Sequence, residues 1–145
     1  MSTHLKEKLE KIEELLERLA AHSAKGIPIV VEGKKDVDAL RRLALNGDII
    51  AAKTRKSFLA LATEIERLDS DEVLLLMDFD RRGKEWTKRL TEYLERSAVK
   101  PNAFFWHELQ GLVGNEVNEV EGLLPYLQTL RSKSGKSQTI IESKL

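Results

Sequence analysis

The chain has 145 residues, which is the usual size of a single domain and enough to bury a core without disulfides. It contains no cysteine, which excludes disulfide frameworks, thiolate zinc sites and cysteine nucleophiles. The 24 basic and 24 acidic side chains cancel, so the net charge does not favour a nucleic-acid partner, although residues 31–60 carry a local excess of basic side chains.

No segment of the sequence indicates a membrane or a secretory route. The longest apolar run, residues 73–77, is far too short to span a bilayer. The charged N-terminal residues lack the apolar region of a signal peptide. We therefore expect a cytoplasmic protein without a membrane partner.

The first predicted element is an amphipathic helix over residues 3–22. Its apolar side chains recur every three or four residues, with Lys and Glu between them: Leu5, Leu9, Ile12, Leu16 and Leu19. Gly26 and Pro28 mark its end. We expect residues 1–25 to form an N-terminal helix that packs either on its own domain or on a second copy of the chain, as a homodimer contact.

Short apolar strands and helices alternate along the rest of the chain. We predict strands over residues 27–31, 48–52, 73–77 and 103–106, and helices over residues 36–45, 57–68, 83–96 and 120–130. Asn46-Gly47 is expected to close the first of these helices, and Ser57 to cap the second. The alternation predicts βαβ units, and therefore an α/β fold with a mostly parallel four-stranded sheet flanked by helices.

The predicted domain covers residues 26–131 and is followed by a polar C-terminal tail, residues 132–145. Within this tail, residues 139–141 could add an edge strand. The aromatic side chains of the domain are interpreted as core: Trp86 and Tyr93 lie seven apart on one helical face, and residues 104–106 belong to the predicted fourth strand.

Acidic residues follow two of the predicted strands: Glu32 the first, and Asp78 and Asp80 the third. Because ligands bind beyond the carboxyl ends of parallel strands, we expect these acids at one edge of the sheet. Asp78 and Asp80 are two apart, so an extended chain points both to the same side. Carboxylate oxygens suit Mg²⁺, and without a cation such a cluster implies a raised pKa on one member.

Helix capping is the alternative explanation for these acids. Asp80 stands before Arg81-Arg82-Gly83 and could be the N-cap of the next helix, and Asp36 is expected to support the start of its own helix. An α/β protein whose acids only cap helices is therefore a further interpretation. A lone Asp-x-Asp is more often a cap than a metal site, but its pairing with a strand that ends in Glu-Gly favours the metal site.

Two segments carry a family resemblance. Residues 29–40, IVVEGKKDVDAL, resemble the first motif of Toprim domains, and residues 74–84, LLLMDFDRRGK, resemble the second. A βα unit separates the motifs, as it does in that family, and the similarity covers roughly residues 27–106. Toprim domains occur in type IA and type II topoisomerases, bacterial primases, the ribonuclease that matures 5S ribosomal RNA and small stand-alone proteins, which this chain resembles most.

The resemblance implies a compact Toprim fold, a nucleic-acid partner (DNA or RNA) and Mg²⁺ as cofactor, with Mn²⁺ as an alternative. It implies that Glu32 acts as general acid/base and that Asp78 and Asp80 hold the metal. Arg82 stands where some topoisomerases have a third acid, which is a departure from their two-metal arrangement. The expected function is Mg²⁺-dependent nuclease or nucleotidyl/phosphoryl transfer chemistry on phosphodiesters. The alternative is a non-catalytic nucleic-acid-binding or adaptor module that retains the metal site.

Basic residues and a glycine surround the acids and are candidates for binding substrate phosphates. They are Gly33, Lys34, Lys53, Arg55, Arg81, Arg82 and Lys84. Gly33 is expected to let the backbone turn sharply and approach a phosphate closely, or simply to form the turn that leaves the strand. The basic side chains are expected to form charge-assisted hydrogen bonds with phosphate, although a solvated surface role is the alternative for each of them.

Overall fold

The structure, a computed structural model, describes residues 3–135. In this part of the chain four short strands alternate with six α-helices. The strands are β1 Ile29–Val31, β2 Ile49–Ala51, β3 Glu72–Leu75 and β4 Lys100–Asn102. The helices are α1 Thr3–Ala24, α2 Lys34–Arg42, α3 Phe58–Glu66, α4 Arg81–Leu94, α5 Phe104–Val113 and α6 Leu123–Ser134, and 3₁₀ turns cover Ala52–Thr54 and Val120–Gly122.

The four strands form one parallel sheet in the order β2-β1-β3-β4. In the register of the central pair, Ile29 of β1 lies opposite Leu74 of β3. Strands β1 and β3 are therefore direct neighbours, and the residues that follow them meet at the same edge. The predicted α/β fold is confirmed, and the sheet is parallel throughout.

The sheet is buried on both faces. All three residues of β1 have no exposed surface, and the apolar side chains of β3 are equally covered. This burial explains why the central strands are uniformly apolar rather than alternating, as expected when helices cover both faces of a parallel sheet.

Helix α1 packs on its own chain. Its apolar seam is buried against the rest of the molecule, with α5 and α6 as its main neighbours. Arg131 on α6, which is almost fully buried, places its Nε 3.6 Å from Oε2 of Glu13 on α1. Within the described residues, the apolar seam of α1 is therefore covered by its own chain.

The C-terminal helix extends beyond the predicted domain boundary at residue 131. Helix α6 continues to Ser134, and Gly135 follows it with a left-handed φ of 78°. Such a residue satisfies the last helical carbonyls, which explains why the helix ends there. The predicted edge strand at residues 139–141 lies outside the described residues.

The predicted strand over residues 103–106 is wrong. These residues begin helix α5, and β4 lies just before them. Asn102 redirects the chain, since its side-chain oxygen accepts a hydrogen bond from the Phe104 amide at 2.9 Å. Consecutive aromatic residues favour a strand, but in this helix Phe105 and Trp106 face the core while Phe104 is exposed.

The predicted closure of α2 by Asn46-Gly47 is also wrong. The helix ends at Arg42, and the left-handed residue that follows is Ala44, with φ of 69°. Arg41 holds this turn by donating to the carbonyl oxygens of Leu45 at 3.0 Å and Gly47 at 2.5 Å. A side chain thus replaces the glycine cap that the sequence favoured.

Candidate functional site

Three carboxylates converge at the carboxyl edge of the two central strands. Glu32 follows β1, and Asp78 and Asp80 follow β3. One oxygen of each carboxylate lies within 4.8 Å of the other two. The prediction that these acids meet at one sheet edge is confirmed, because parallel pairing of β1 with β3 places the two chain segments side by side.

Each carboxylate oxygen of Glu32 has a contact that holds the side chain in place. Its side chain is only 3% exposed, and Oε2 accepts a hydrogen bond from the Asp78 amide at 3.2 Å. Oε1 lies 3.7 Å from Nε of Arg82 on α4. Its backbone carbonyl accepts from the Lys53 amide at 2.8 Å, which ties the segment after β1 to the segment after β2. These contacts orient the carboxylate before any ligand binds.

Asp78 is fixed by the C-terminal part of the described chain. Its Oδ1 accepts a hydrogen bond from the Val120 amide at 3.0 Å, and its carbonyl accepts from the Trp106 indole at 3.2 Å. Burial, followed by the hydrogen bond with the Glu32 carboxyl, raises the pKa of Asp78 from 3.8 to about 7. The charged form is therefore costly without a compensating cation.

Asp80 both caps a helix and faces the cluster. Its Oδ1 accepts a hydrogen bond from the Gly83 amide at 2.8 Å, so it is the N-cap of α4. Capping and metal binding are compatible here, because a carboxylate has a second oxygen. The two interpretations of Asp80 that the sequence left open are not exclusive.

Gly83 permits a close approach of helix α4 to the site. A Cβ atom on this residue would lie 1.9 Å from the carbonyl oxygen of Asp78. Only glycine can occupy this position, since real Cβ atoms do not approach backbone oxygens so closely. The glycine of the second motif therefore sets the distance between the helix and the acids.

Asp36 is a fourth acid near the cluster, and it is buried. It caps α2 as predicted, with Oδ2 accepting from the Gly33 amide at 3.0 Å. Its Oδ1 also accepts from the Glu121 amide at 3.1 Å, a contact that the sequence did not indicate. Burial, and then the charge of Asp78, raise the pKa of Asp36. Asp36 and Asp78 together hold the 3₁₀ turn Val120–Gly122 over the site.

The group could hold a divalent cation. Three carboxylates converge, two of them almost fully buried, and hard oxygen donors are what Mg²⁺ prefers. The ion would offset the repulsion and the desolvation that raise the pKa of Asp78. The residues that could hold it are Asp78 and Asp80, with Glu32 beside them.

Three of the seven predicted phosphate-binding residues line one cleft with Glu32. They are Lys53, Arg55 and Arg82, and the cleft has a volume of about 230 Å³. Arg55, however, is already engaged with Glu64 through two hydrogen bonds of 2.7 and 2.5 Å. Lys53 and Arg82 are therefore the predicted cations that face the cleft without such a bidentate partner.

The remaining four predicted residues do not line that cleft. The chain bends at Gly33 between β1 and α2, but the backbone of this residue is extended, with φ of −137°, and does not require glycine. Its amide is already donated to Asp36. Arg81 is highly exposed and lies 3.5 Å from Glu85, one turn along α4. Lys34 and Lys84 are exposed in the first turns of α2 and α4.

The backbone of residues 118–121 closes the site, a role that the sequence did not indicate. Residues 118–121 contribute three backbone contacts, including the carbonyl of Asn118, which accepts from the Phe79 amide at 2.7 Å. Backbone donors leave no residue-type signal, so no pattern could reveal them. Trp106 was missed for a different reason, since it was assigned to a strand rather than to α5.

Comparison with protein families identifies the class to which this fold and site belong. The model of the Toprim domain matches residues 27–106, which contain all four strands and all three clustered acids. The chain therefore belongs to the Toprim domain family. Among the described residues, no helix is long and apolar enough to cross a membrane.

Several archaeal proteins named UPF0292 are similar to this chain over most of its length. The relative in Methanosarcina acetivorans is 39% identical and is aligned over 91% of this chain and 90% of its own length. The relative in Methanocaldococcus jannaschii is 37% identical and is aligned over 83% of this chain and 93% of its own length. The chain thus also belongs to the UPF0292 proteins. A solved structure from Aquifex aeolicus, at 22% identity, shares the fold with a TM-score of 0.62 over 74% of this chain and 94% of its own.

Proposed function

We propose that this Toprim protein is an Mg²⁺-dependent enzyme that acts on nucleic-acid phosphodiesters, as a nuclease or in nucleotidyl or phosphoryl transfer. The observation that carries the proposal is the convergence of Glu32, Asp78 and Asp80 within 4.8 Å beside a cleft with basic walls. Toprim domains commonly act on nucleic acids, which supports this substrate class.

Asp78 and Asp80 would hold the metal, for which Mn²⁺ is an alternative. A bound ion of this kind neutralises phosphate charge and stabilises the charge that develops in the transition state. Glu32 lines the cleft and would exchange a proton with the attacking or leaving oxygen of the substrate. Arg82, whose side chain is 61% exposed, would pair with a phosphate oxygen while its Nε stays near Glu32.

The expected partner, location and oligomeric state are compatible with this proposal. The partner would be DNA or RNA, and the expected cytoplasmic location stays a prediction. A homodimer through the N-terminal helix would have to use the polar face of α1, because the apolar seam is buried within the chain.

Cleavage and transfer assays test the proposal directly. End-labelled DNA and RNA oligonucleotides are incubated with the protein, with Mg²⁺, with Mn²⁺ or with a chelator. We expect turnover only with metal, and a loss of about 100-fold or more in Glu32→Gln, since general acid–base groups contribute at least that much. Asp78→Asn should abolish the metal-dependent turnover, and the distant surface variant Lys11→Ala serves as control.

Unchanged turnover in both Glu32→Gln and Asp78→Asn would contradict the enzyme proposal. Binding of nucleic acid by the wild-type protein without any turnover would instead favour the alternative, a non-catalytic binding or adaptor module.

A further inference from the structure

The cleft beside Glu32 contains groups that the phosphodiester chemistry does not use. The residues that line it include Phe58 and Trp86, which form an aromatic wall, and both are half-buried, so part of each ring is open to the cleft. Lys56, next to Phe58 in the chain, is exposed on the same wall. The cleft thus combines an apolar aromatic surface with cations, next to the proposed general acid/base.

The aromatic wall is supported by neighbouring side chains. The ring centroids of Phe58 and Trp86 are 5.9 Å apart, and Tyr93 meets Phe58 edge to face at 5.8 Å. The guanidinium of Arg89 lies 4.0 Å from the centre of the Phe58 ring, within cation–π range. A ring supported on several sides loses little freedom when a ligand packs against it, which favours binding.

The chain segment that carries the basic residues of the cleft is also held by hydrogen bonds. The hydrogen bonds of Arg55 with Glu64 and with the carbonyl of Ala51 connect the segment after β2 to helix α3. This segment carries Lys53 and Lys56 on either side of Arg55. Because Glu64 neutralises Arg55, the positive charge available to a ligand comes from the two lysines and from Arg82.

The size of the cleft limits what it can hold. Its volume of about 230 Å³ is below the roughly 300–1,000 Å³ of pockets that enclose drug-sized ligands. One nucleotide is a ligand with the required chemistry: a flat base for the aromatic wall and a phosphate for the lysines. A base inside a duplex is stacked and paired, so it could not present its face to Phe58 or Trp86.

We infer that this cleft binds one unpaired nucleotide, with its base against Phe58 and Trp86 and its phosphate on Lys53 and Lys56. The inference rests on the proposed function, because it places this nucleotide next to the phosphodiester that reacts at Glu32. It narrows the substrate class to single-stranded nucleic acid or to the unpaired ends of duplexes. Base–aromatic stacking is tolerant of sequence, so little base preference is expected.

Binding without metal tests the cleft separately from the chemistry. Fluorescence anisotropy of a labelled single-stranded oligonucleotide, measured with a chelator present, gives the affinity of the wild-type protein, of Trp86→Leu and of the double variant Lys53→Ala/Lys56→Ala. Matched controls are Phe104→Leu, an exposed aromatic residue on α5, and Lys11→Ala on α1. A duplex of the same length is measured alongside.

We expect Trp86→Leu to weaken single-strand binding about tenfold. The double lysine variant should weaken it and lower the salt dependence of binding by roughly 0.7 per lost phosphate contact. The duplex should bind more weakly than the single strand and should not respond to Trp86→Leu. Both controls should bind like the wild-type protein.

The outcomes separate this inference from the proposed function. If Trp86→Leu and the lysine variant bind like their controls, or if the duplex binds as tightly as the single strand, the cleft is not a nucleotide subsite. Metal-dependent cleavage could still stand in that case. Cleft-dependent binding of single strands without any cleavage would uphold the subsite and overturn the enzyme proposal. The lysines are exposed, so their replacement tests the idea even if Trp86→Leu unfolds the protein.

Discussion

At the scale of single residues, the acids of the site depend on neighbours that carry no chemistry of their own. Gly83 lets α4 approach the Asp78 carbonyl, and Trp106 donates a hydrogen bond to that same carbonyl. The amide of Val120 occupies one oxygen of the Asp78 side chain. The position of Asp78 is thus set by groups from three separate parts of the chain.

Replacement of Gly83 by alanine should disrupt the site. The added Cβ would meet backbone atoms of Asp78 that cannot move aside cheaply, so we expect a loss of several kcal/mol in the free energy of unfolding, as for other overpacked positions. Gly111→Ala is the matched control, because it lies in exposed helix with nothing within 4 Å of the added Cβ, and it should be neutral or slightly stabilising. Urea unfolding of both variants measures the difference, and equal stabilities would contradict the prediction.

The raised pKa of Asp78 predicts a pH dependence of stability. Without metal, the folded protein keeps a proton on Asp78 up to about pH 7, whereas an unperturbed carboxyl releases it near 3.8. The folded state is therefore favoured below 3.8, and this contribution is lost as the pH rises through about 7. Thermal unfolding with a chelator should show the loss. Asp78→Asn should remove most of it, since the pKa of Asp36 is also raised, by burial and then by the charge of Asp78. The exposed Asp69→Asn should leave it unchanged.

The same proton competes with a metal ion. We expect the affinity for Mg²⁺, measured by calorimetry, to rise as the pH increases through about 7, because Asp78 must lose its proton to bind the cation. An affinity that stays constant across this range would show that Asp78 is already ionised or takes no part in binding.

At the scale of elements, helices α1 and α6 are joined by an ion pair as well as by apolar packing. The Arg131 side chain is 2% exposed and that of Glu13 is 18% exposed. A buried pair of this kind stabilises little relative to apolar residues, but removal of one partner is strongly destabilising. The pair itself therefore adds little to the free energy of unfolding, but replacement of one partner should lower it.

Glu13→Gln should lower the free energy of unfolding by roughly 3 kcal/mol, because the Arg131 guanidinium would lose its carboxylate in a buried position. Glu14→Gln, its exposed neighbour, should have almost no effect. The double variant Glu13→Leu/Arg131→Met should recover part of the loss, since no buried charge remains. Chemical unfolding checks all three, and equal stability of Glu13→Gln and Glu14→Gln would rule out the proposed role.

At the scale of the whole molecule, α1 belongs to the same core as the sheet. Its buried leucines and Ile12 share one apolar cluster with the central strands. The seam that suggested a dimer in the sequence is therefore satisfied within one chain. Stability should then be a property of the monomer rather than of an assembly.

Ile12→Ala tests this arrangement. Ile12 has no exposed surface, so the cavity should cost about 2–5 kcal/mol in the free energy of unfolding, independent of protein concentration. Leu59→Ala, at a position that is 63% exposed, is the control and should change little. A loss that grows on dilution would show instead that the seam is an interface between two chains.

Much of the fold and of the acidic cluster could be predicted from sequence. Strand β1 ends directly before Glu32 and β3 ends three residues before Asp78, and parallel strands bring their carboxyl ends together. The Ser57 cap of α3 was also predicted correctly. The strands, the helices and the cap depend on residues that are near one another in the chain, where periodicity and local hydrogen bonding determine structure. The meeting of the acids follows from the parallel pairing of the two strands.

The sequence by itself therefore determined the strand-helix alternation, the sheet and the meeting of its three acids. Tertiary structure decided what surrounds them: the turn Val120–Gly122 pinned by Asp36 and Asp78, the Arg55–Glu64 pair, and the aromatic wall of the cleft. These contacts join segments far apart in the chain, and many use backbone groups that every residue possesses. Local patterns cannot encode them, because they form only when packing brings the segments together.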